Sequence, residues 1–285
     1  MSDSGWYPPH GQNPYEHLYI YYLKGRMDAD WQPQGSGFIG VWEEGDSSFL
    51  FFTRPAMEIV TQLVAQNSPL RLLDHFYMRY DQWQGQKSGP LHIAGFCISP
   101  PWHPARAAED EIPLQLDPGV VFGTGTHPTT HDCLEALRQA FGEEPIASAL
   151  DLGTGTGLLA LAAARLGCRY TVAVDLNRLA ARTAQRNVCL NQLQQGILVL
   201  CADAVKSMDF TCELVVSNIH YEVMQTMLRQ ESFLTKKRFI LSGLLRSQAR
   251  QIEHLLAALP VKVIRHWQKD GIWHTYYGRV ISAHL

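Results

Sequence analysis

The second half of the chain alternates regularly between helical and strand-like patterns, and this alternation restricts the possible folds more than any other feature. Helical spacing of apolar residues predicts five helices, at residues 127–141, 157–166, 177–192, 221–230 and 245–258. Apolar and β-branched runs predict seven strands, at residues 147–152, 170–175, 197–201, 212–218, 237–242, 261–268 and 273–281. Several of these strands are almost continuously apolar, which is typical of a parallel sheet covered by helices on both faces. We therefore predict an α/β fold.

The last two predicted strands are separated only by the segment KDGIW, in which Asp270 and Gly271 are turn residues. A connection this short joins antiparallel neighbours, so the final strand is expected to run antiparallel within the sheet. A seven-stranded sheet that ends in this way resembles the Rossmann-like sheet of class I methyltransferases.

The first 85 or so residues have a different pattern, which predicts a small α+β unit. Aromatic and β-branched residues indicate a strand at 17–25, a hairpin at 38–53 and a further strand in the segment that starts at residue 71. Pro55 is expected at the first position of a helix. Prolines and an acidic run after the turn-rich segment 85–89 favour an exposed linker with one strand at its start. The predicted units are a small α+β domain at 1–88, the linker at 89–118 and an α/β domain at 119–285, whose sheet resembles that of S-adenosylmethionine-dependent methyltransferases.

Composition excludes several classes of protein. The net charge is -3, which provides no field for nonspecific nucleic-acid binding, so direct binding of nucleic acid is not expected. Six cysteines are scattered singly without a C-x-x-C pair, so we expect no metal site. The sequence shows neither a signal peptide nor an apolar run long enough to cross a membrane, so we expect a cytoplasmic protein without a membrane partner.

The segment ALDLGTGTG at residues 149–157 forms a glycine-rich turn between a predicted strand and helix. A dinucleotide-binding turn would require glycine at position 158, where this chain has Leu158. The shorter spacing, with Gly153, Gly155 and Gly157, resembles the S-adenosylmethionine loop of methyltransferases. In that resemblance, Asp151 is the acidic residue that approaches the methionine ammonium of the cofactor.

Two further carboxylates follow predicted strands. The strand TVAVD ends at Asp175, whose carboxylate can accept hydrogen bonds from both hydroxyls of a ribose. A competing interpretation is that Asp175 only caps the next helix. Asp203 follows the third strand, where related enzymes contact adenine, although aspartate is common at the start of any loop.

The segment LDPGVVFGTGTHPTTHDCLEAL at residues 116–137 combines turn glycines, hydroxyls and prolines before a helix. It indicates either a loop capped by Thr126 or a lid over a bound ligand. Together with LDLGTGTGLLALAAARLG, VVSNI and LSGLLRSQARQI, this segment is similar to the PrmA family, which methylates protein eleven of the large ribosomal subunit. The resemblance covers most of residues 116–285 and touches ISPPWHPA.

The PrmA resemblance implies transfer of methyl groups from S-adenosylmethionine to lysine side-chain and N-terminal amines of a ribosomal protein. It implies that lid residues close over the cofactor, that the glycine loop lies under it, and that Asn218 faces the reacting methyl group. The lid residues are Phe122, Gly123, Thr124 and Thr126. We expect Asn218 and the carbonyl of Ile219 to hold the acceptor amine, and His220 either to relay its proton to water or to be a capping or surface residue.

The chain departs from the PrmA pattern at two places where the acceptor is expected to bind. His220, Tyr221 and Glu222 replace the family's leucine and small residue, and the first 85 residues show no clear match to the family's recognition domain. Tyr221 and Trp273 either line the acceptor channel or only pack. Other acceptors therefore stay open, namely another protein such as a flavoprotein subunit, a small-molecule amine, or an amide or adenine nitrogen. A noncatalytic cofactor-binding scaffold is a further alternative, and the oligomeric state is not predicted.

Overall fold

A computed structural model describes residues 12–27, 31–33, 37–85 and 89–281 of the chain. The first eleven residues, where the sequence predicts no signal peptide, and most of the predicted break at 85–89 lie outside the described residues. None of the helices in the described ranges is both long and apolar enough to cross a membrane.

The first unit is a four-stranded antiparallel sheet with one helix against it. Its elements are β1 (His17–Lys24), β2 (Phe38–Glu44), β3 (Ser47–Phe52), α1 (Met57–Gln66), β4 (Arg71–Arg79) and the short α2 (Tyr80–Gln84). The strand order is β2-β3-β1-β4. The helix predicted to start at Pro55 begins instead at Met57, because Ala56 occupies the N-cap position with φ -137. The apolar residues of α1 pack against one face of this sheet.

The segment predicted to be an exposed linker with one strand is folded, so that part of the prediction is wrong. It contains β5 (Leu91–Ile93), β6 (Phe96–Ser99) and β7 (Ile112–Gln115), which form a separate three-stranded sheet. Phe96, Ile98 and Leu114 are buried in the largest hydrophobic core. Burial of these apolar side chains stabilises strands that are too short to be recognised from their own pattern.

The second half of the chain forms the predicted seven-stranded sheet with helices on both faces. Its strands are β8 (Ser148–Leu152), β9 (Tyr170–Asp175), β10 (Ile197–Cys201), β11 (Leu214–Asn218), β12 (Arg238–Leu245), β13 (Val261–Lys269) and β14 (Trp273–Val280). Its helices are α3 (Pro128–Glu143), α4 (Leu158–Arg165), α5 (Arg178–Leu190), α6 (Tyr221–Leu228) and α7 (Arg246–Ala257). Two short 3₁₀ helices lie at Lys206–Asp209 and Glu231–Thr235.

The order of the large sheet is β10-β9-β8-β11-β12-β14-β13. Strands β8 to β12 pair in parallel, and β14 is inserted antiparallel between β12 and β13. This confirms the predicted α/β, Rossmann-like methyltransferase sheet with an antiparallel final strand. The chain leaves β8 toward β9 on one side and later returns to β11 on the other. Ligands of such sheets bind outside the carboxyl ends of the strands, at this switch in direction.

The first unit packs against the large domain beside this switch. Val120 and Val121, which belong to the segment 116–137, share a buried cluster with Leu18 and Ile20 of β1 and with Leu179 of α5. A side chain at Gly40 of β2 would come within 2.4 Å of Leu179 Cδ1, so β2 approaches α5 closely. The small sheet is therefore attached on the β9 and β10 side of the large domain.

Candidate functional site

Three predicted site residues meet at the carboxyl edge of the large sheet. Asp151 lies near the end of β8, Asp175 ends β9 and Asn218 ends β11. These strands are neighbours in the order β9-β8-β11, so their ends lie side by side. The glycine loop after β8 lies at this edge, at the position where a ligand is expected.

The glycine loop has a conformation that side chains would prevent. Gly153, Gly155 and Gly157 have φ values of 73°, 56° and 87°. A Cβ atom at Gly153 would lie 2.0 Å from the side chain of Ile219, and one at Gly155 would lie 2.6 Å from the carbonyl oxygen of Phe122. Neighbouring groups therefore fill the space that a Cβ would need at Gly153 and Gly155, so glycine is needed at both positions.

Asp151 is a buried carboxyl group with one oxygen left without a partner. Its Oδ2 accepts hydrogen bonds from Thr154 Oγ1 at 2.6 Å and from the amide of Ala160 at 3.1 Å. Its Oδ1 is buried and has no hydrogen-bond partner among the described residues. Burial raises the pKa of Asp151 to about 7. A cationic group of a ligand would satisfy this oxygen, and the ammonium of a methionine moiety is such a group.

Asp175 links the end of β9 to the glycine loop. Its Oδ2 accepts from the amide of Gly155 at 3.0 Å, and its Oδ1 accepts from the amide of Asn177 at 2.9 Å. Burial raises its pKa. Asn177, and not Asp175, holds the N-cap of α5, because its side chain accepts from Leu179 and Ala180. Asp175 is partly exposed and each oxygen retains a lone pair, so it can still accept hydrogen bonds from hydroxyls of a ligand.

Asp203 lies in the loop after β10, one strand further from the centre of the site. Its Oδ1 accepts a hydrogen bond from the amide of Lys206 at 3.0 Å, which is the geometry of an aspartate that starts a turn. It is partly exposed at the same edge of the sheet.

At the end of β11, Asn218 and Ile219 lie beside the glycine loop, whereas His220 is exposed. Asn218 Nδ2 donates to Thr129 Oγ1 at 3.2 Å, and Ile219 lies against Gly153. His220 is exposed at the N-cap position of α6, where its side chain makes no capping hydrogen bond. The hydroxyl of Tyr221 donates a hydrogen bond to Gln251 Oε1 and accepts one from Gln225 Nε2.

The lid, defined as residues 122–126, is tied to the glycine loop by Thr156. The amide of Thr156 donates to the carbonyl of Phe122 at 3.2 Å, and its hydroxyl donates to the carbonyl of Gly123 at 2.6 Å. The Phe122 side chain is 76% exposed and meets Trp42 of β2 edge-on. The hydroxyls of Thr124 and Thr126 lie 2.9 Å apart.

Thr124 and Thr126 also line a small cavity that adjoins the three-stranded sheet. Leu91, Ile98 and Trp102 form the apolar part of its wall. The lid therefore lies between this sheet and the start of α4, with Gly125 buried at its centre.

Buried hydrogen bonds attach the lid segment to the first unit. The hydroxyl of Tyr15 donates to Asp117 Oδ2 at 2.9 Å, and Arg186 of α5 lies 3.2 Å from the same oxygen. The hydroxyl of Tyr80 donates to the carbonyl of Gly119 at 2.7 Å. Asp117 is fully buried, so these bonds hold the start of the lid segment in one position.

The sequence did not assign His127 and Thr129 to the site, but hydrogen bonds connect both of them to Asn218. His127 holds the N-cap of α3, and its Nδ1 accepts from the amide of Thr129 at 3.4 Å and lies 2.7 Å from Thr129 Oγ1. Burial lowers the pKa of His127. Its ring meets Trp273 edge-on, with ring centres 4.7 Å apart. The sequence HPTT at residues 127–130 was the local sign of this arrangement, but Asn218, the hydrogen-bond partner of Thr129, lies 89 residues away in the chain.

Gly243 is a third residue that the sequence did not identify. Its φ is 85°, and a Cβ there would lie 2.8 Å from Asn218 Oδ1 and 3.1 Å from the carbonyl oxygen of Ile219. The glycine thereby leaves room for the amide group of Asn218.

Outside this edge, the structure brings together His92, Cys97 and Glu111, whose possible metal-binding atoms lie within 4.8 Å of one another. His92 Nδ1 and both carboxylate oxygens of Glu111 are paired at 2.9 Å, and Cys97 is buried. The paired atoms satisfy each other without an ion.

The profile of the family described as ribosomal protein L11 methyltransferase (PrmA) matches residues 79–279 of the chain. This chain belongs to the PrmA family. The match includes the lid, the glycine loop and all three strand ends that form the site. It begins at the last residue of β4, so most of the first unit lies outside it.

Two curated PrmA relatives show the extent of the similarity. A ribosomal protein L11 methyltransferase of Halalkalibacterium halodurans is 36% identical over 162 residues, which are 56% of this chain and 51% of that protein. The protein of the same name from Exiguobacterium sibiricum is 35% identical over 169 residues, which are 59% of this chain and 53% of that protein. The chain thus spans about half the length of the curated relatives that it matches.

A solved PrmA structure has a similar fold. The crystal structure described as ribosomal protein L11 methylase, from Lactobacillus delbrueckii subsp. bulgaricus, has a TM-score of 0.61 and is 26% identical in sequence. The match covers 68% of this chain and 99% of that one.

Proposed function

We propose that this PrmA-family chain transfers methyl groups from S-adenosylmethionine to amine nitrogens of a protein, and that the acceptor is large-subunit ribosomal protein eleven. The observation that carries the proposal is the meeting of Asp151, Asp175 and Asn218 at one edge of the sheet around the glycine loop. The names of the PrmA relatives support the choice of acceptor.

The residues of this edge fit the cofactor. The unpartnered oxygen of Asp151 would hold the methionine ammonium, and Asp175 would accept hydrogen bonds from the ribose hydroxyls. Gly153 and Gly155 would lie against the cofactor without side chains, with Phe122 and Gly123 above them and Asp203 toward the adenine. When bound, S-adenosylmethionine would supply an electrophilic methyl group, and S-adenosylhomocysteine would remain as a neutral thioether, so no acid is needed to protonate the leaving group.

The remaining task of the protein is to align an uncharged amine. A lysine has an unperturbed pKa near 10.4, so its ammonium must lose a proton before the nitrogen can attack. Asn218 Oδ1 and the carbonyl of Ile219 would accept hydrogen bonds from the amine and direct its lone pair toward the methyl group. The exposed ring of His220, two residues beyond Asn218, would pass the released proton to water.

Incubation of the purified chain with methyl-labelled S-adenosylmethionine and either purified ribosomal protein eleven or a whole lysate tests this function. We expect label on the ribosomal protein, at lysine or at its N-terminus. Asn218→Ala should abolish labelling while S-adenosylhomocysteine still binds, and His220→Ala should lower the rate of labelling. Label on a different protein would change the acceptor. Cofactor binding without any label would favour a noncatalytic scaffold.

A further inference from the structure

A depression lies between the start of α7 and the tip of the β13–β14 hairpin. It is lined by Leu245, Arg246, Ser247, Arg250, Gly271 and Ile272, and its volume is about 570 Å³. We call it the α7 depression. None of its residues belongs to the cofactor-binding edge described above.

The α7 depression adjoins the reactive edge of the sheet. Leu245 follows Gly243 by two residues, and Gly243 lies against Asn218 and Ile219. Leu245 also pairs with Trp273 across β12 and β14, and Trp273 contacts His127. A protein acceptor whose amine reaches Asn218 would therefore lie against the α7 depression.

The walls of the depression combine apolar and cationic groups. Leu245 is 40% exposed and Ile272 is 50% exposed, although both are aliphatic. Arg246 and Arg250 are exposed one helical turn apart, so their side chains leave α7 on the same side. Neither guanidinium has a hydrogen bond or ion pair within the described residues, and the first turn of α7 contains no acidic residue. The positive end of the helix dipole adds to this field.

We propose that the α7 depression is a docking surface for an acidic, partly apolar segment of the protein acceptor, close to the target amine. The proposal rests on the proposed function, because only a protein acceptor has such a segment. Carboxylates of the segment would pair with Arg246 and Arg250, and an apolar side chain would cover Leu245 and Ile272. Two arginines between aliphatic walls fit a peptide better than the continuous charge of a nucleic-acid backbone.

The position of the first unit supports a two-sided arrangement. That unit packs beside β9 and β10 through α5, whereas the α7 depression lies beside β12 and β14. Asn218, at the end of β11, lies between them in the strand order. A folded acceptor that reaches Asn218 can therefore contact both surfaces, and the α7 depression holds the segment next to the amine.

Steady-state kinetics of the full chain with the protein acceptor test the docking surface. The double charge reversal Arg246→Glu with Arg250→Glu should raise KM for the protein acceptor about tenfold or more at low salt, and the effect should shrink as salt is added. The rate with free lysine as acceptor and the Kd for S-adenosylhomocysteine should not change. The control pair Arg169→Glu with Arg229→Glu changes the net charge equally at exposed positions just before β9 and at the end of α6, away from the carboxyl edge of the sheet, and should leave KM unchanged.

The outcomes separate the docking surface from the proposed function. If wild-type chain labels no protein, the proposed function itself fails. If wild-type chain labels the acceptor and the charge reversal leaves KM unchanged, only the docking surface is overturned. If the double charge reversal weakens binding of RNA while KM for the protein acceptor stays unchanged, the surface would be assigned to nucleic acid. That result would also overturn the docking surface. If the double reversal is unfolded, the pair Arg246→Gln with Arg250→Gln replaces it, and an increase in KM is again required.

Discussion

Asn218 donates a hydrogen bond from its side-chain amide to the hydroxyl oxygen of Thr129 at 3.2 Å, which joins the end of β11 to the first turn of α3. The bond sets which end of the Asn218 amide faces the helix, and its Oδ1 is left beside Gly243. Thr129 is in turn held by His127. The orientation of the residue that we expect to hold the acceptor amine is thus controlled from the end of the lid.

Replacement of Thr129 by valine removes the oxygen that Asn218 uses without changing the volume of the side chain. Leaving this amide donor unpaired costs about 1–3 kcal/mol, and we expect kcat to fall about tenfold or more. The Kd for S-adenosylhomocysteine should change little. Thr130→Val is the matched control, because Thr130 is also buried but makes no side-chain hydrogen bond within the described residues. Equal losses in both variants would contradict a specific role for Thr129.

His127 should make the reaction sensitive to acid. The backbone amide of Thr129 can only donate, so the Nδ1 of His127 that accepts from it is unprotonated. Burial lowers the pKa of His127 below its usual 6.5, so this form persists at neutral pH. As the pH falls through the lowered pKa, Nδ1 gains a proton and no longer accepts from Thr129. We expect kcat to fall with it.

His127→Asn provides the comparison for this acid limb. Asparagine is a good helix N-cap but does not titrate, so the cap is retained and the fall in kcat that comes from His127 should disappear. The rise of kcat with pH that comes from deprotonation of the acceptor amine should remain in both proteins. A pH profile of kcat checks this, and an unchanged acid limb would assign the titration to another group.

Asp151 should make stability and cofactor binding depend on pH in opposite directions. Its pKa in the fold is about 7, above its usual 3.8, because burial disfavours the charged form. The stability that protonated Asp151 contributes is therefore fully present below pH 3.8 and is lost as the pH rises through 7. Relative to wild type, the free chain of Asp151→Asn should gain thermal stability between about pH 4 and about pH 8.

The same ionisation should favour a cationic ligand. S-adenosylhomocysteine, which carries an ammonium, should bind wild type more tightly at about pH 8 than at about pH 5, since Asp151 is then charged. Isothermal titration of wild type and Asp151→Asn at both values measures this. A pH-independent affinity in wild type would show that Asp151 does not hold the ammonium.

Gly155→Ala should damage the junction between the glycine loop and the lid. The φ of Gly155 is 56°, and the new Cβ would lie 2.6 Å from the carbonyl oxygen of Phe122, which is backbone and cannot rotate away. Strain of this kind costs about 1–3 kcal/mol, and we expect lower unfolding free energy and weaker S-adenosylhomocysteine binding. Gly142→Ala in α3 is the control, because its Cβ meets nothing within 4 Å. It should stabilise the fold by roughly 0.5–1 kcal/mol in denaturant titration.

Much of the fold follows from local patterns in the sequence. The helices and strands after residue 127 were predicted close to their bounds because apolar periodicity and turn residues act over short distances. The KDGIW turn determined the antiparallel end of the sheet for the same reason. The segment at 89–118 was predicted wrongly, because strands of three or four residues are stabilised by packing on α3 and α4, which no local pattern records.

The sequence by itself determined the glycine loop, the acidic strand end at Asp175 and the resemblance to PrmA, since each depends on residues close together in the chain. Only the tertiary structure decided that Thr129 and His127 orient Asn218, that Gly243 makes room for its amide, and that Asp117 ties the lid segment to the first unit. These partners are far apart in sequence and meet because parallel strands bring their carboxyl ends to one edge and helices pack across them.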